Sequence, residues 1–270
     1  MEVSPAQVDP VIEASDRAAV RAIRRAGRHA PRGQLGARIR AAARACGAVN
    51  PVGDGNGKTD SPGTYRPTGP SCPASCPFLP LHRKQATTLD RAYLQTLARF
   101  VGYFADQTGW SSTDGPLGWT YCHGTAAETD EIRAALPWFT VRHSDHAGPG
   151  GAVTVADWSD APEGGVKCPA QLSKGTDYPT TCRTCRACER PDLMDRPIVF
   201  IAEGPQKRTA AASVRGSRDG GCYSLAGNVA ASSRRATVDP TAGALAAVAA
   251  LVWAHETGRR VRLHVSGGFF

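Results

Sequence analysis

The sequence predicts an α/β protein: an incomplete or irregular (β/α) barrel-like parallel sheet with an N-terminal basic helical arm. Three observations point there. Strand-like and helix-like segments alternate from residue 89 to residue 265. The stretch Pro197-Ile-Val-Phe-Ile-Ala202 is wholly apolar, as expected of a strand covered on both faces of a parallel sheet. Arginines recur at helical spacing over residues 17–28, ahead of a Gly- and Pro-containing break.

Residues 11–46 read as two short helices broken between Gly27 and Gly36, where Pro31 intervenes. Residues 47–71 are rich in Gly, Pro and Asn and read as a linker ending in a short strand at 64–67. The division is therefore 1–50, a basic helical arm and linker, and 51–270, a cysteine-rich α/β metal-binding domain. Leu89, Tyr93, Leu97, Phe100, Val101 and Phe104 fall on one face of an amphipathic helix. Gly118–His123 reads as a strand, and Glu128–Leu136 as a short helix with Thr125 or Thr129 as its N-cap. Two more strands follow at 138–143 and 152–158. An Ala-rich helix over 240–255 is closed by Gly258, and Arg260–Val265 is the last strand.

The net charge is +8, from 32 basic and 24 acidic residues. Residues 1–50 hold nine arginines and no lysine against four acids, so the excess is concentrated there. Such an arm either contacts phosphate, making nucleic acid a partner, or is a solvated helix face. The longest apolar run, Ala242–Ala254, is too short for a membrane span, so no membrane partner is expected. Met1-Glu-Val-Ser-Pro carries neither the basic nor the apolar region of a secretory signal. With nine cysteines in the chain, this predicts a reducing compartment, the cytoplasm, and metal rather than disulfides.

The densest signal is Cys168, Cys182, Cys185 and Cys188, spaced C-x13-C-x2-C-x2-C. Two residues between cysteines turn their sulfurs toward one centre, and Cys168 closes the set. Four thiolates suit tetrahedral zinc or an iron–sulfur cluster. Cys72 and Cys76 form a second, proline-bounded C-x3-C loop, and Cys46 stands alone. Among weaker candidates, His123 follows Cys122, and His143, Asp145 and His146 cluster after a strand. Asp157 and Glu203 sit at strand ends, and His264 reads as a core histidine. No Walker loop, GxGxxG fingerprint, HExxH or Ser–His–Asp pattern is present, which argues against NTPase, Rossmann dehydrogenase and zincin chemistry.

Several separated motifs resemble one family. They are Gly57-Lys with Gly63-Thr-Tyr and Ser71-Cys-Pro-Ala-Ser-Cys-Pro-Phe, Gly118-Trp-Thr-Tyr, and Lys167-Cys-Pro-Ala-Gln with its three following cysteines. To these add Gly221-Cys-Tyr-Ser-Leu-Ala-Gly and Arg260-Val-Arg-Leu-His-Val-Ser-Gly. Together they are similar to the phage and plasmid gene-product-88-like proteins, a family of unknown function that resembles radical-SAM barrels. In that family the Gly-Cys-Tyr and His-Val-Ser-Gly segments directly follow the Cys-Pro loop; here 220–270 stands transposed to the C-terminus. The resemblance implies phage or mobile-element origin and an iron–sulfur, radical-SAM-like protein. Cys72, Cys76 and Cys222 would be the cluster ligands, and S-adenosylmethionine would lie near Tyr223 and the turn Ser266-Gly267-Gly268. The 168–188 cysteines would then form an auxiliary zinc or cluster site. The alternative from a different class is a zinc-stabilised nucleic-acid-associated protein.

Overall fold

The computed structural model describes residues 12–31, 33–48, 91–122, 124–144, 146–201 and 239–263. The expected linker strand at 64–67 lies outside them. Seven helices and six strands are described: α1 (Ala14–Arg28), α2 (Leu35–Ala45), α3 (Arg91–Thr108), α4 (Ala126–Ala135), the one-turn α5 (Pro169–Leu172) and α6 (Cys182–Cys185), and α7 (Pro240–Glu256). The strands are β1 (Gly118–Cys122), β2 (Phe139–Ser144), β3 (Gly151–Val155), β4 (Val166–Lys167), β5 (Ile198–Ile201) and β6 (Val261–Arg262). They form one open, all-parallel sheet in the order β4-β5-β3-β2-β1-β6. The expected α/β class is present, and the sheet does not close into a barrel.

The helices make one layer. Ala-rich α7 is apolar around its whole circumference because α1, α2 and α3 all pack on it. No described helix is long and apolar enough to cross a membrane. The basic arm is docked rather than free: Val20, Ile23, Ile39 and Ala43 are fully buried in the core shared with Phe100, Phe104 and Val248. Two glycines permit this close fit. A Cβ on Gly27 would stand 2.6 Å from Val252 Cγ1, and one on Gly36 would stand 2.7 Å from the Trp253 ring.

Local signals set the element ends. Thr125 and Glu128 form a reciprocal capping box at the start of α4. Asp239 accepts the Ala242 N–H to cap α7, where Pro240 occupies the first turn. Gly258 takes a left-handed φ of 63° just past the end of α7.

The sheet is stepped. Parallel neighbours normally need a crossover of about a dozen residues or more, yet β2 and β3 are joined by the short link 145–150. They manage this because β3 begins level with the end of β2: His143 pairs with Gly151 and Ser144 with Ala152. The block β6-β1-β2 is thus offset along the strand direction from β3-β5-β4. Residues paired across parallel strands share a face. Cys122, Phe139, Val141 and Val261 face the helices. Trp119, Tyr121, Thr140, Arg142, Phe200 and Arg262 project from the opposite face.

Candidate metal centre

That second face is covered by the cysteine-rich segment. Cys168 directly follows β4, and its N–H donates to Val199 O at 2.8 Å, so its backbone extends the sheet. Pro169 then opens α5, where the Gln171 and Leu172 N–H groups each donate to the Cys168 carbonyl at 3.0 Å and the Gln171 and Ala170 N–H dipoles act on its sulfur. Gln171 locks the turn to β5 through a two-way pair with the Ile201 backbone, each bond 2.9 Å. Cys182 and Cys185 bound the single turn of α6, which is capped reciprocally by Thr181 and Thr184. Arg186 ends that turn at φ 52°, a left-handed conformation that costs a non-glycine residue on the order of 1 kcal/mol. Glu189 holds it there, its carboxylate taking Arg186 Nε at 2.6 Å and Nη2 at 3.3 Å. This reversal brings Cys188 onto the sheet.

The four sulfurs share this corner: Cys168 lies within electrostatic reach of Cys182, Cys185 and Cys188. Burial pushes the Cys168 thiol up, against the pull of the two N–H donors. Burial also drives Cys188 up to about 11, opposed by the Tyr121 hydroxyl, which donates to its sulfur, and by Arg142 and Arg262. Desolvation likewise raises Tyr121 well above the usual phenol range.

Arg142 anchors the whole arrangement. It is completely buried, and its donors reach six carbonyls. Nε binds Cys188 O at 3.1 Å, and Nη1 binds Arg196 O at 3.3 Å and Gly151 O at 3.5 Å. Nη2 binds Ala187 O and Leu193 O at 3.3 Å and Arg190 O at 3.5 Å. The guanidinium thereby ties the carbonyls of residues 187–193 to the start of β3 and to the residue before Pro197. Thr140 adds a bond of 2.7 Å to Glu189 O.

Among the described residues, no three or more His, Cys, Asp or Glu side chains are arranged to hold a metal ion. The four cysteines are soft sulfur donors, Cys168 is within electrostatic reach of the other three, and Arg142 and Arg262 lie near Cys188, charges that would offset those of thiolates. Cys72, Cys76, Cys222, Tyr223, Ser266, Gly267 and Gly268 lie outside the described residues, as do His123, Asp145, Glu203 and His264.

The remaining candidates have structural partners. His143 places Nε2 2.7 Å from Gly124 O and stacks on His146 with ring centroids 5.1 Å apart. Asp157 does not end a strand toward a ligand; it caps the turn Trp158–Asp160, accepting from Ser159 N at 2.9 Å. Cys46 packs beside α1, its sulfur 4.0 Å from Ala19 O. Sequence reasoning passed over Arg142, Tyr121, Glu189 and Arg262. The available signals were an arginine inside the strand Phe139-Thr-Val-Arg and the alternation of Arg260 with Arg262, which puts both on one face.

No protein-family model matches the chain, and neither the curated proteins nor the solved structures yield a match.

Proposed function

We propose that this chain is a metal-cysteine protein whose thiolate centre is formed by Cys168, Cys182, Cys185 and Cys188. The observation that carries this reading is the gathering of these cysteines at the C-terminal end of an all-parallel sheet, where open α/β sheets bind their ligands. Zinc there would clamp the segment to the sheet, whereas an iron–sulfur cluster would supply an electron-transfer centre. The chain's own groups do the rest. Gln171 fixes the turn that carries Cys168, Arg142 and Glu189 hold the turn bearing Cys188, and the Tyr121 hydroxyl favours the thiolate form of Cys188 against the burial that keeps it protonated.

The family resemblance extends the proposal to a radical-SAM-like enzyme of phage or mobile-element origin. Its second, iron–sulfur centre would be held by Cys72, Cys76 and Cys222, with S-adenosylmethionine near Tyr223, Ser266, Gly267 and Gly268. Anaerobic purification followed by metal analysis and an absorption spectrum tests both centres. Several irons per chain and broad visible absorption support clusters, and Cys185→Ser and Cys76→Ala apportion them between the two sets. A colourless protein with one zinc eliminates the radical reading. No bound metal in the wild-type chain, together with none taken up by the reduced protein, overturns the thiolate centre.

A second reading, a zinc-stabilised nucleic-acid-associated protein, is favoured by α1 and α2. Arg17, Arg21, Arg25 and Arg28 line one flank of α1, and Arg38 and Arg44 are exposed on α2. Among the described residues none of these six pairs with an acid. Retention of DNA that falls steeply with salt would support it.

A further inference from the structure

Among the described residues, Arg262 is a cation with no acid to pair with it. It is half-buried on β6, its guanidinium carbon 5.6 Å from the centroid of the Tyr121 ring, and it lies within electrostatic reach of the Cys188 sulfur. Its Nε is buried without a hydrogen-bond partner, and no acid pairs with it among the described residues. Arg260, on the same face one step earlier in the strand, is similar. It stacks over Trp110 at 4.9 Å and donates from Nη2 to Asp114 O at 2.9 Å. Its Nε stands 4.0 Å from Glu189, but that carboxylate is already taken by Arg186, and Arg260 Nη1 is buried with no partner. A buried guanidinium donor left without an acceptor is costly unless an anion meets it, and Arg262 Nε and Arg260 Nη1 are two such donors among the described residues. Arg260 immediately precedes β6 and Arg262 ends it, so their backbones stand roughly 7 Å apart on one face of the sheet.

From this we infer an oxyanion-binding site centred on Arg262, with Arg260 as its second cation and Tyr121 as its floor, which takes the phosphate or carboxylate group of a small-molecule ligand beside Cys188. The inference deepens the thiolate-centre proposal and rests on it only for the ligand's role as the substrate or co-ligand of that centre. The cations themselves are present in the metal-free chain. Guanidinium is the natural receptor for both groups, because its parallel N–H donors match two oxygens at once.

The test is titration of the full-length chain, metal-free and then zinc-loaded, with inorganic phosphate and separately with acetate. Trp110 and Trp119 fluorescence and calorimetry are the readouts. Saturable binding is expected, with Arg262→Met weakening it by about ten-fold or more and Arg262→Lys by less, since lysine keeps the charge but loses the paired donors. Arg262→Met should melt no lower than wild type, because it removes an unanswered cation. Phosphate binding without acetate binding assigns a phosphorylated ligand, and the reverse assigns a carboxylate. Wild type that binds neither anion, or Arg262→Met that binds as wild type does, overturns the site. So does an Arg262→Met chain that loses zinc, measured by chelator competition, in step with the anion, because Arg262 would then serve the metal centre itself. Failure of zinc to bind wild type while phosphate still binds overturns the thiolate centre and leaves the anion site standing.

Discussion

Arg142 shows what one residue settles. A buried guanidinium reaching six carbonyls has no apolar substitute, because truncation strands every acceptor at once. Arg142→Met is therefore expected to destabilise the fold by about 3 kcal/mol or more, read by denaturant titration, and to quicken alkylation of Cys188 as its turn lifts from the sheet. Arg142→Lys should recover only part of the loss, since an ammonium has three donors and no fork. Cys188 carries a pH prediction. Its thiol sits at about 11 in the metal-free protein, above its value in the unfolded chain. Its contribution to stability is thus complete below about pH 8.5 and is lost as pH rises toward 11. At neutral pH the same proton must leave before metal can bind. Zinc addition should acidify a weakly buffered solution, affinity should fall as pH is lowered, and Cys188→Ser should release fewer protons. A protein that takes up zinc with no proton release would refute this.

At the scale of elements, the packing of α1 and α2 on α7 depends on two missing side chains. Alanine normally stabilises a helix relative to glycine by about 1 kcal/mol. Here Gly27→Ala drives a methyl to 2.6 Å from Val252, and Gly36→Ala drives one into the rigid Trp253 ring at 2.7 Å. Overpacking of this kind costs about 1–3 kcal/mol, so both variants should melt below wild type, Gly36→Ala the lower because an indole cannot bend away. A rise in melting temperature for either would show that the helices slide apart freely. Most of these helices were legible from the chain: the 3.6-residue recurrence of α3, the Ala-rich run of α7 closed by Gly258, and the short α4 with Thr125 among its two cap candidates. The turns α5 and α6 were not. Each is a single turn set by Pro169, by Thr181 with Thr184, and by packing against β5, and such short pieces leave no periodicity to read.

For the whole molecule, docking of the basic helices changes how their role must be probed. Deleting 1–46 would strip Val20, Ile23 and Ile39 from the common core and unfold the protein. The surface variant Arg21→Ala/Arg25→Ala/Arg28→Ala leaves that core intact. If the arm binds nucleic acid, the variant's log–log salt slope should flatten by about 0.9 for each phosphate that is no longer neutralised; an unchanged slope would assign these arginines to solvent. A metal bound only by the folded chain adds stability by mass action, about 2.7 kcal/mol at a hundred-fold excess over Kd. Zinc should therefore raise the melting temperature of wild type and leave Cys185→Ser unmoved.

Sequence alone determined the α/β class and the positions of the main helices and strands, and it singled out Cys168, Cys182, Cys185 and Cys188 as the set to propose. These follow from periodicity, caps and spacing, which act over a few residues. The open, stepped sheet was decided only in three dimensions, because register depends on which strands meet and not on any one strand's composition. The same holds for the burial of Arg142 and the isolation of Arg262. Both depend on which carbonyls and acids distant segments bring near, as seen among the described residues.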